Sequence, residues 1–228
     1  MKFDWNTLAF LVFPYLSLAV FTVGHAWRYL SDPYHWNAKS SEILDKGSLK
    51  YVSPLFHYGI VLTFIGHFGG LLIPQTVYDA VGIDAEEHTR IAIVLGMIFG
   101  VMALLGASLL LWRRRTRDRV AAASTANDTV TLALLLFVIL VGTYNVFFGR
   151  YHLLDTVAPW IRSIVFLNPN PQLMADVPFA YQLHILAAFL LFAFSPFSRL
   201  IHIWNVPVQY LPRSYLLFRR RAGDCQEL

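Results

Sequence analysis

The sequence predicts an all-α integral membrane protein, a five-helix transmembrane bundle forming one membrane domain over 1–228. Three observations predict it. Hydrophobic residues make up 57% of the chain and charged ones only 14%, where an ordinary soluble domain carries about 25% charged residues. Five apolar segments, at about 7–29, 53–73, 90–112, 129–149 and 178–203, each have the length a bilayer crossing needs at about 1.5 Å per helical residue. The cations, finally, are sorted into alternate connections, the pattern of a multi-pass chain. With five spans in 228 residues, no separate soluble domain is expected.

The first segment, MKFDWNTLAFLVFPYLSLAV, has only Lys2 ahead of its apolar run and Asp4 beside it. No A-x-A-like cleavage site follows, so a retained span is expected rather than a signal peptide. Pro14 and Pro196 fall inside spans 1 and 5, where each removes a backbone donor and predicts a kink. The other prolines, Pro54 and Pro74 among them, read as edges or loops. The longest outer connection, 150–177, carries Trp160, Ile161, Ile164, Val165 and Phe166, an amphipathic patch expected along the membrane surface. There is no internal repeat and no low-complexity segment.

Charge orients the bundle. Arg28, Lys39, Lys46, Lys50, the cluster from Arg113 to Arg119, Arg199 and the arginines of the tail account for 14 of the 18 Lys and Arg. Lys2, Arg90, Arg150 and Arg162 lie on the other side. The positive-inside rule then predicts an outside N-terminus and a cytoplasmic C-terminus. A net charge of +4 is no argument for nucleic acid here, because these arginines flank spans. The tail, 204–228, sets Tyr210, Tyr215, Leu216, Leu217 and Phe218 among basic residues. It reads as a docking surface for partner subunits or as a segment lying on the membrane. The single cysteine, Cys225, excludes an internal disulfide or a four-thiolate cluster, so any redox centre uses other ligands.

Histidines carry the functional signal. His57 and His67 lie ten residues apart in span 2, and His184 and His202 lie 18 apart in span 5. Imidazoles inside membrane spans are costly and rare. On a continuous helix, 18 residues are five turns, which would put His184 and His202 on one face about 27 Å apart. Antiparallel spans pair His67 with His184 near the outer surface and His57 with His202 near the inner one. Two neutral imidazoles per site suit the two axial positions of a haem iron, leaving an electron carrier with no open position. Gly59, Gly66, Gly69, Gly70, Ala187 and Ala188 are small enough to leave room for a macrocycle, and equally suit close helix packing. The spacing carries a mismatch. His57 and His67 are only about 15 Å apart along an ideal helix and about 80° apart around it, so tilt, the Pro196 kink or oblique haems must absorb the difference. The alternatives for such histidines are interhelical hydrogen bonds or a proton relay. The spans, however, lack buried acidic partners and broken-helix pairs. His25 and His35 suit interfacial or propionate contacts, and His88 and His152 belong to the outer face.

At these residues the chain resembles a known family. SPLFHYGIVLTFIGHFGGLLIP, FSRLIHIWNVPVQYLPRSYLLFRR and the first loop, WRYLSDPYHWNAKSSEILDKG, closely resemble the γ subunit of respiratory nitrate reductase, a dihaem cytochrome b membrane anchor. The likeness extends over nearly the whole chain. It implies two haem b groups, with the four axial ligands falling on His57, His67, His184 and His202. It implies a quinol substrate (menaquinol or ubiquinol) oxidised at the outer face. Electrons then pass inward to an iron–sulfur β subunit and a molybdenum-cofactor α subunit that reduces nitrate in the cytoplasm. The family pattern has a lysine near the quinol in the outer loop after span 2. This loop reads GIDAEEHTRIAI, with His88 and Arg90 the nearest equivalents. His88, Arg90, Glu87 and Gly70 are therefore the quinol-site candidates, with Asp84 and Glu86 further acids able to carry protons outward. Acids there are equally expected simply as the start of a helix. Arg199, Arg113, Ser40 and Ser41 are candidates for the haem propionates, against snorkelling for the arginines. The same architecture serving a heterodisulfide- or sulfite-type reductase is the nearer alternative, and a haem-free transporter the farther one. A multi-pass cell-membrane location follows from any of them.

Overall fold

A computed structural model describes residues 4–31, 46–149 and 151–204. Five helices in it are long and apolar enough to cross a membrane, and there is no strand among the described residues. Ser40, Ser41, His35 and residues 205–228 of the tail expected to dock partner subunits lie outside them.

Helix α1 spans Trp5–Ser31 and starts at Asp4, whose carboxylate accepts from the Thr7 amide at 2.8 Å. This capping holds the Asp4 carboxyl below its usual range. Pro14 has no N–H to give the Phe10 carbonyl one turn back. The Trp160 indole supplies the missing donor, at 2.9 Å. Leu8–Val12, just ahead, widens into a π turn, the expected relief for a ladder interrupted by proline.

Helix α2 runs Lys46–His67 and passes into a π turn, Phe68–Leu72. It starts well before residue 53, so Pro54 lies inside the helix rather than at its edge. A short helix, α3 (Gln75–Ala80), leads to α4, Ala85–Thr116. Asp84 caps α4 through the Glu87 amide at 2.8 Å. Glu86 and Glu87 stand at its positive end and Arg113, Arg114 and Arg115 at its negative end, which complements the helix dipole and extends α4 beyond its apolar stretch at both ends. After α5 (Asp118–Ala122), a reciprocal Thr125–Asp128 capping box opens α6, Ala126–Phe148.

Helix α7, Val157–Val165, corrects one expectation. Trp160 and Ile164 turn into the protein rather than toward lipid. They are buried with Phe10, Met174 and Phe189, because the Trp160 indole is tied to the carbonyl that Pro14 leaves open. Val165 and Phe166 alone of the patch are well exposed.

Helix α8, Phe179–Phe194, brings a second correction. Span 5 is not one helix to residue 203. The α-helix ends at Phe194 and the chain continues as 3₁₀ turns, Ser195–Phe197 and Arg199–Ile203, with Ser198 extended between them. Pro196 has no donor for a further helical bond. The Ser195 and Ser198 hydroxyls, bonded to Phe192 O at 2.9 Å and Ser195 O at 3.0 Å, satisfy backbone groups at the break.

The long helices pack in the order α2, α4, α6, α8, α1. The contact between α2 and α4 is close because glycines face backbone. Gly59 meets Ala103, and a Cβ at Gly106 would stand 2.6 Å from Phe56 Cα. Helices α2 and α8 pack on one another far less than the neighbouring pairs do.

Candidate functional site: two facing histidine pairs

The four histidines meet between α2 on one side and α8 with the 3₁₀ turns that follow it on the other. His57 faces His202 with ring centroids 6.2 Å apart, and His67 faces His184 at 6.1 Å. These are the pairs expected from antiparallel spans. The mismatch between 15 Å and 27 Å is resolved by the break at Phe194. The ten residues from His184 to Phe194 match the ten from His57 to His67, and the turns after Pro196 bring His202 to His57's level instead of carrying it five helical turns away.

The nitrogens are sorted as well. In each ring Nδ1 lies on a backbone carbonyl: His57 on Ser53 at 2.7 Å, His67 on Thr63 at 2.8 Å, His184 on Val138 at 3.0 Å and His202 on Arg199 at 2.6 Å. A carbonyl only accepts, so Nδ1 carries the proton and Nε2 keeps its lone pair in all four. A metal–imidazole bond is about 2 Å long and the ring centre lies about 1 Å behind the nitrogen, so two imidazoles on opposite sides of one ion stand with centroids about 6 Å apart. Both pairs meet that spacing, and backbone carbonyls on Nδ1 are the outer-shell partners that histidine ligands use. Two facing imidazoles are the ligand set that a haem iron takes from a protein, the macrocycle supplying the rest.

Each ring has its own support. His184 reaches the Val138 carbonyl because position 142 is glycine. A Cβ there would stand 2.7 Å from His184 Cε1. His202 depends on Arg199, whose side chain pairs with Asp128. Asp128 also receives Arg114 at 3.3 Å. Around the same break, Arg28 donates to Pro196 O at 2.7 Å, Asn127 to Phe197 O at 3.0 Å, and His25 bonds the Ser195 hydroxyl at 3.0 Å. Arg113 is buried. Gly66 has open space where a side chain would be, while Gly59 serves helix packing.

The remaining candidates separate. His88 is buried, bonds Gln75 Oε1 at 2.8 Å and stacks on Tyr78 at 4.1 Å. Its Nε2 is 3.8 Å from where a Cβ on Gly70 would sit. Arg90 is two residues on and points to the other side of α4. It pairs with Glu87 at 4.0 Å and lines an open cavity of about 570 Å³ with Glu86, His152 and Asp155. His88 and Gly70 therefore meet, and Arg90 and Glu87 do not join them.

Sequence reasoning missed Gly142, Gln75, Tyr78 and Asp128. Gly142 and Asp128 carry a signal only once spans 4 and 5 are known to be neighbours. Gln75 and Tyr78 needed the short helix after Pro74, which hydropathy does not reveal.

Five apolar helices with histidine pairs facing at two levels define a multi-pass cell-membrane protein of electron transport, of the cytochrome b kind. The family model of the nitrate reductase gamma subunit matches residues 6–221, and the chain belongs to that family. It is 38% identical to the nitrate reductase gamma chain of Bacillus subtilis, over 92% of this chain and 96% of that one. It is 38% identical to the respiratory nitrate reductase 1 gamma chain of Escherichia coli, over 95% and 98%. The nitrate reductase-like protein NarX of Mycobacterium tuberculosis is 39% identical over 94% of this chain, which spans about a third (34%) of its length.

Proposed function

We propose that this chain is the membrane subunit of a respiratory nitrate reductase, holding two haem b groups and oxidising quinol at the outer face. One observation carries the reading: His57 faces His202 and His67 faces His184 with ring centroids 6.2 and 6.1 Å apart, each ring fixed through Nδ1 by a backbone carbonyl. His67 and His184 hold the outer haem, His57 and His202 the inner one. Bound there, the haems supply one-electron transfer across the bilayer.

The chain's own residues do the rest. The carbonyls of Ser53, Thr63, Val138 and Arg199 fix the tautomers and orient the rings. Arg113 and Arg199, with Ser40 and Ser41, are the groups for the propionates at the inner side. At the outer side, the buried imidazole of His88 accepts a hydrogen bond from the quinol hydroxyl, and Gly70 lets the headgroup approach. With the N-terminus outside and the C-terminus cytoplasmic, protons leave outward while electrons move inward, which separates charge without a proton channel. The tail, 204–228, docks the iron–sulfur β and molybdenum α subunits, to which the electrons go. The gamma-chain naming of the relatives supports membership of such an assembly.

The test is an optical redox titration of the complex purified through this chain. Two b-type components reducible by menadiol, with an iron–sulfur and a molybdenum subunit copurifying, are the expected result. Absence of a Soret band overturns the haem reading, and copurification of a different reductase overturns the assignment of partners.

A further inference from the structure

The outer end of α4 contains a hydrogen-bonded chain of three side chains that neither electron transfer nor packing requires. Gln75 Nε2 lies 2.8 Å from Asp79 Oδ1 and 3.1 Å from Ile83 O. Both are acceptors, which fixes the amide: its NH₂ faces them and its Oε1 faces His88. Gln75 Oε1 then accepts from His88 Nδ1 at 2.8 Å, so Nδ1 bears the proton and Nε2 the lone pair. Tyr78 covers the imidazole at 4.1 Å with its ring tilted 34°. His88 is only 6% exposed, and its Nε2 has no hydrogen-bond partner among the described residues. That nitrogen faces Gly70, and the neighbouring Gly69 lies under the Tyr78 hydroxyl, three and two residues beyond His67.

We infer that Asp79 and Gln75 are positioning residues that hold His88 in one tautomer, with Nε2 presented as the proton acceptor for a hydroquinone hydroxyl. The inference rests on the proposed quinol oxidation at the outer face. In the step, the hydroxyl O–H bond breaks and its proton forms an N–H bond at His88 Nε2. The second hydroxyl releases its proton to outer water. The two electrons would be taken up one at a time by the one-electron acceptor that His67 and His184 would hold, a b-type haem. An amide does not relay a proton, so the imidazolium loses its proton from Nε2 to outer water once the quinone departs. Gln75 and Asp79 serve by favouring the imidazolium, whose Nδ1–H keeps its acceptor throughout.

The charged and titratable groups around His88 are few. Helix α3 brings Tyr78 and Asp79. Its own helix start brings Asp84, spent on the Glu87 amide, and Glu87, paired with Arg90. Helix α7, packed on the π turn, brings Arg162, which donates to Leu71 O at 2.9 Å. Gln75 is the one group bonded to His88 itself, so its replacement acts directly on that ring.

The experiment is the pH profile of haem reduction by menadiol, read by stopped flow on the assembled complex, with haem content checked for each variant. His88→Ala is expected to slow reduction about 100-fold, the ordinary contribution of a positioned base. The rate falls on the acid side as His88 protonates. Gln75→Met removes the acceptor and disfavours the imidazolium, so the acid limb moves to lower pH, by about one unit, and the plateau drops several-fold. Gln75→Glu favours the imidazolium and moves the limb to higher pH. If Met lowers haem content, Glu alone carries the test. Opposite shifts in the two variants support the chain. Shifts in the same direction, or none in a background where His88→Ala is slow, overturn the positioning role and leave the quinol site standing. A wild-type rate and profile in His88→Ala overturns both this inference and the outer quinol site.

Discussion

The pair proposed to lie toward the outer face joins two regular helices: His67 ends the α-helical part of α2, and His184 lies inside α8. The inner pair joins one helix to a chain that has stopped being α-helical, since His202 sits in the 3₁₀ turn Arg199–Ile203. At the outer level the backbone does the positioning, through the Val138 carbonyl and the missing side chain of Gly142. At the inner level side chains do it. Asp128 holds Arg199, Arg28 holds Pro196 O and Asn127 holds Phe197 O. A helix that satisfies its own carbonyls needs only shape to place a ligand. A broken segment exposes carbonyls that must be bonded by other groups, and those groups then become the determinants of ligand position. Sterics should therefore control the outer haem and electrostatics the inner one.

The largest expected effect removes a ligand. His184→Ala and His67→Ala should each lower the haem count per chain from two to one by loss of the outer haem, and His57→Ala and His202→Ala by loss of the inner one. Haem extraction with spectral resolution of the two components measures this. Two full haems in a His202→Ala protein would break the assignment of the inner site.

Next comes the steric arm. In Gly142→Ala the new methyl meets His184 Cε1 at 2.7 Å, closer than any normal contact, so the ring must leave the Val138 carbonyl. Outer haem content should fall by at least half while the inner haem is retained. Equal loss of both would show that the two levels are not independently built.

The electrostatic arm follows. Asp128→Asn keeps the size of the cap on α6 but removes the charge between Arg114 and Arg199. Breaking a buried ion pair from one side costs about 3 kcal/mol, and the Asp128 side chain is 5% exposed. The inner haem should then be lost first on warming, at a temperature several degrees lower than in the parent, with the outer haem unmoved. Should the outer component be lost first, the division between sterics and electrostatics fails.

Much of this contrast was legible in the sequence, and the illegible part has a physical cause. Four histidines in two apolar spans, with alternating loop charge, gave the pairs that the fold brings face to face. The spacing argument for span 5 did not hold, because residues 184–202 do not form one helix. Pro196 flanked by Ser195 and Ser198 marks the break, but proline alone predicts a kink as readily as a stop, and the hydrogen bonds that choose between them come from α1 and α6. The pairing of Arg199 with Asp128 was out of reach, because Asp128 is readable only as a helix cap until α4, α6 and the broken segment are assembled. Trp160 read as interfacial because its partner, the carbonyl left open by Pro14, is 150 residues away in the chain.

The smallest effect is also the most direct comparison of the two levels. The outer rings are inclined by 33° and the inner rings by 71°. Each axial imidazole lifts the energy of the iron d orbital that overlaps its π system. Rings close to parallel raise the same orbital and split the pair, whereas crossed rings raise one orbital each and leave the pair nearly degenerate. Near-degeneracy enlarges the anisotropy of a low-spin ferric centre. The oxidised protein should therefore show two low-spin signals by electron paramagnetic resonance, with the larger maximum g value from the inner haem. His202→Ala should erase the larger-g signal, and His184→Ala the smaller. Asp128→Asn, by freeing Arg199 and with it the carbonyl that orients His202, should move the larger-g signal alone. If His184→Ala removed the larger-g signal instead, the ring angles would not be those that hold with haem bound, and the inner segment would have to reorganise around the iron.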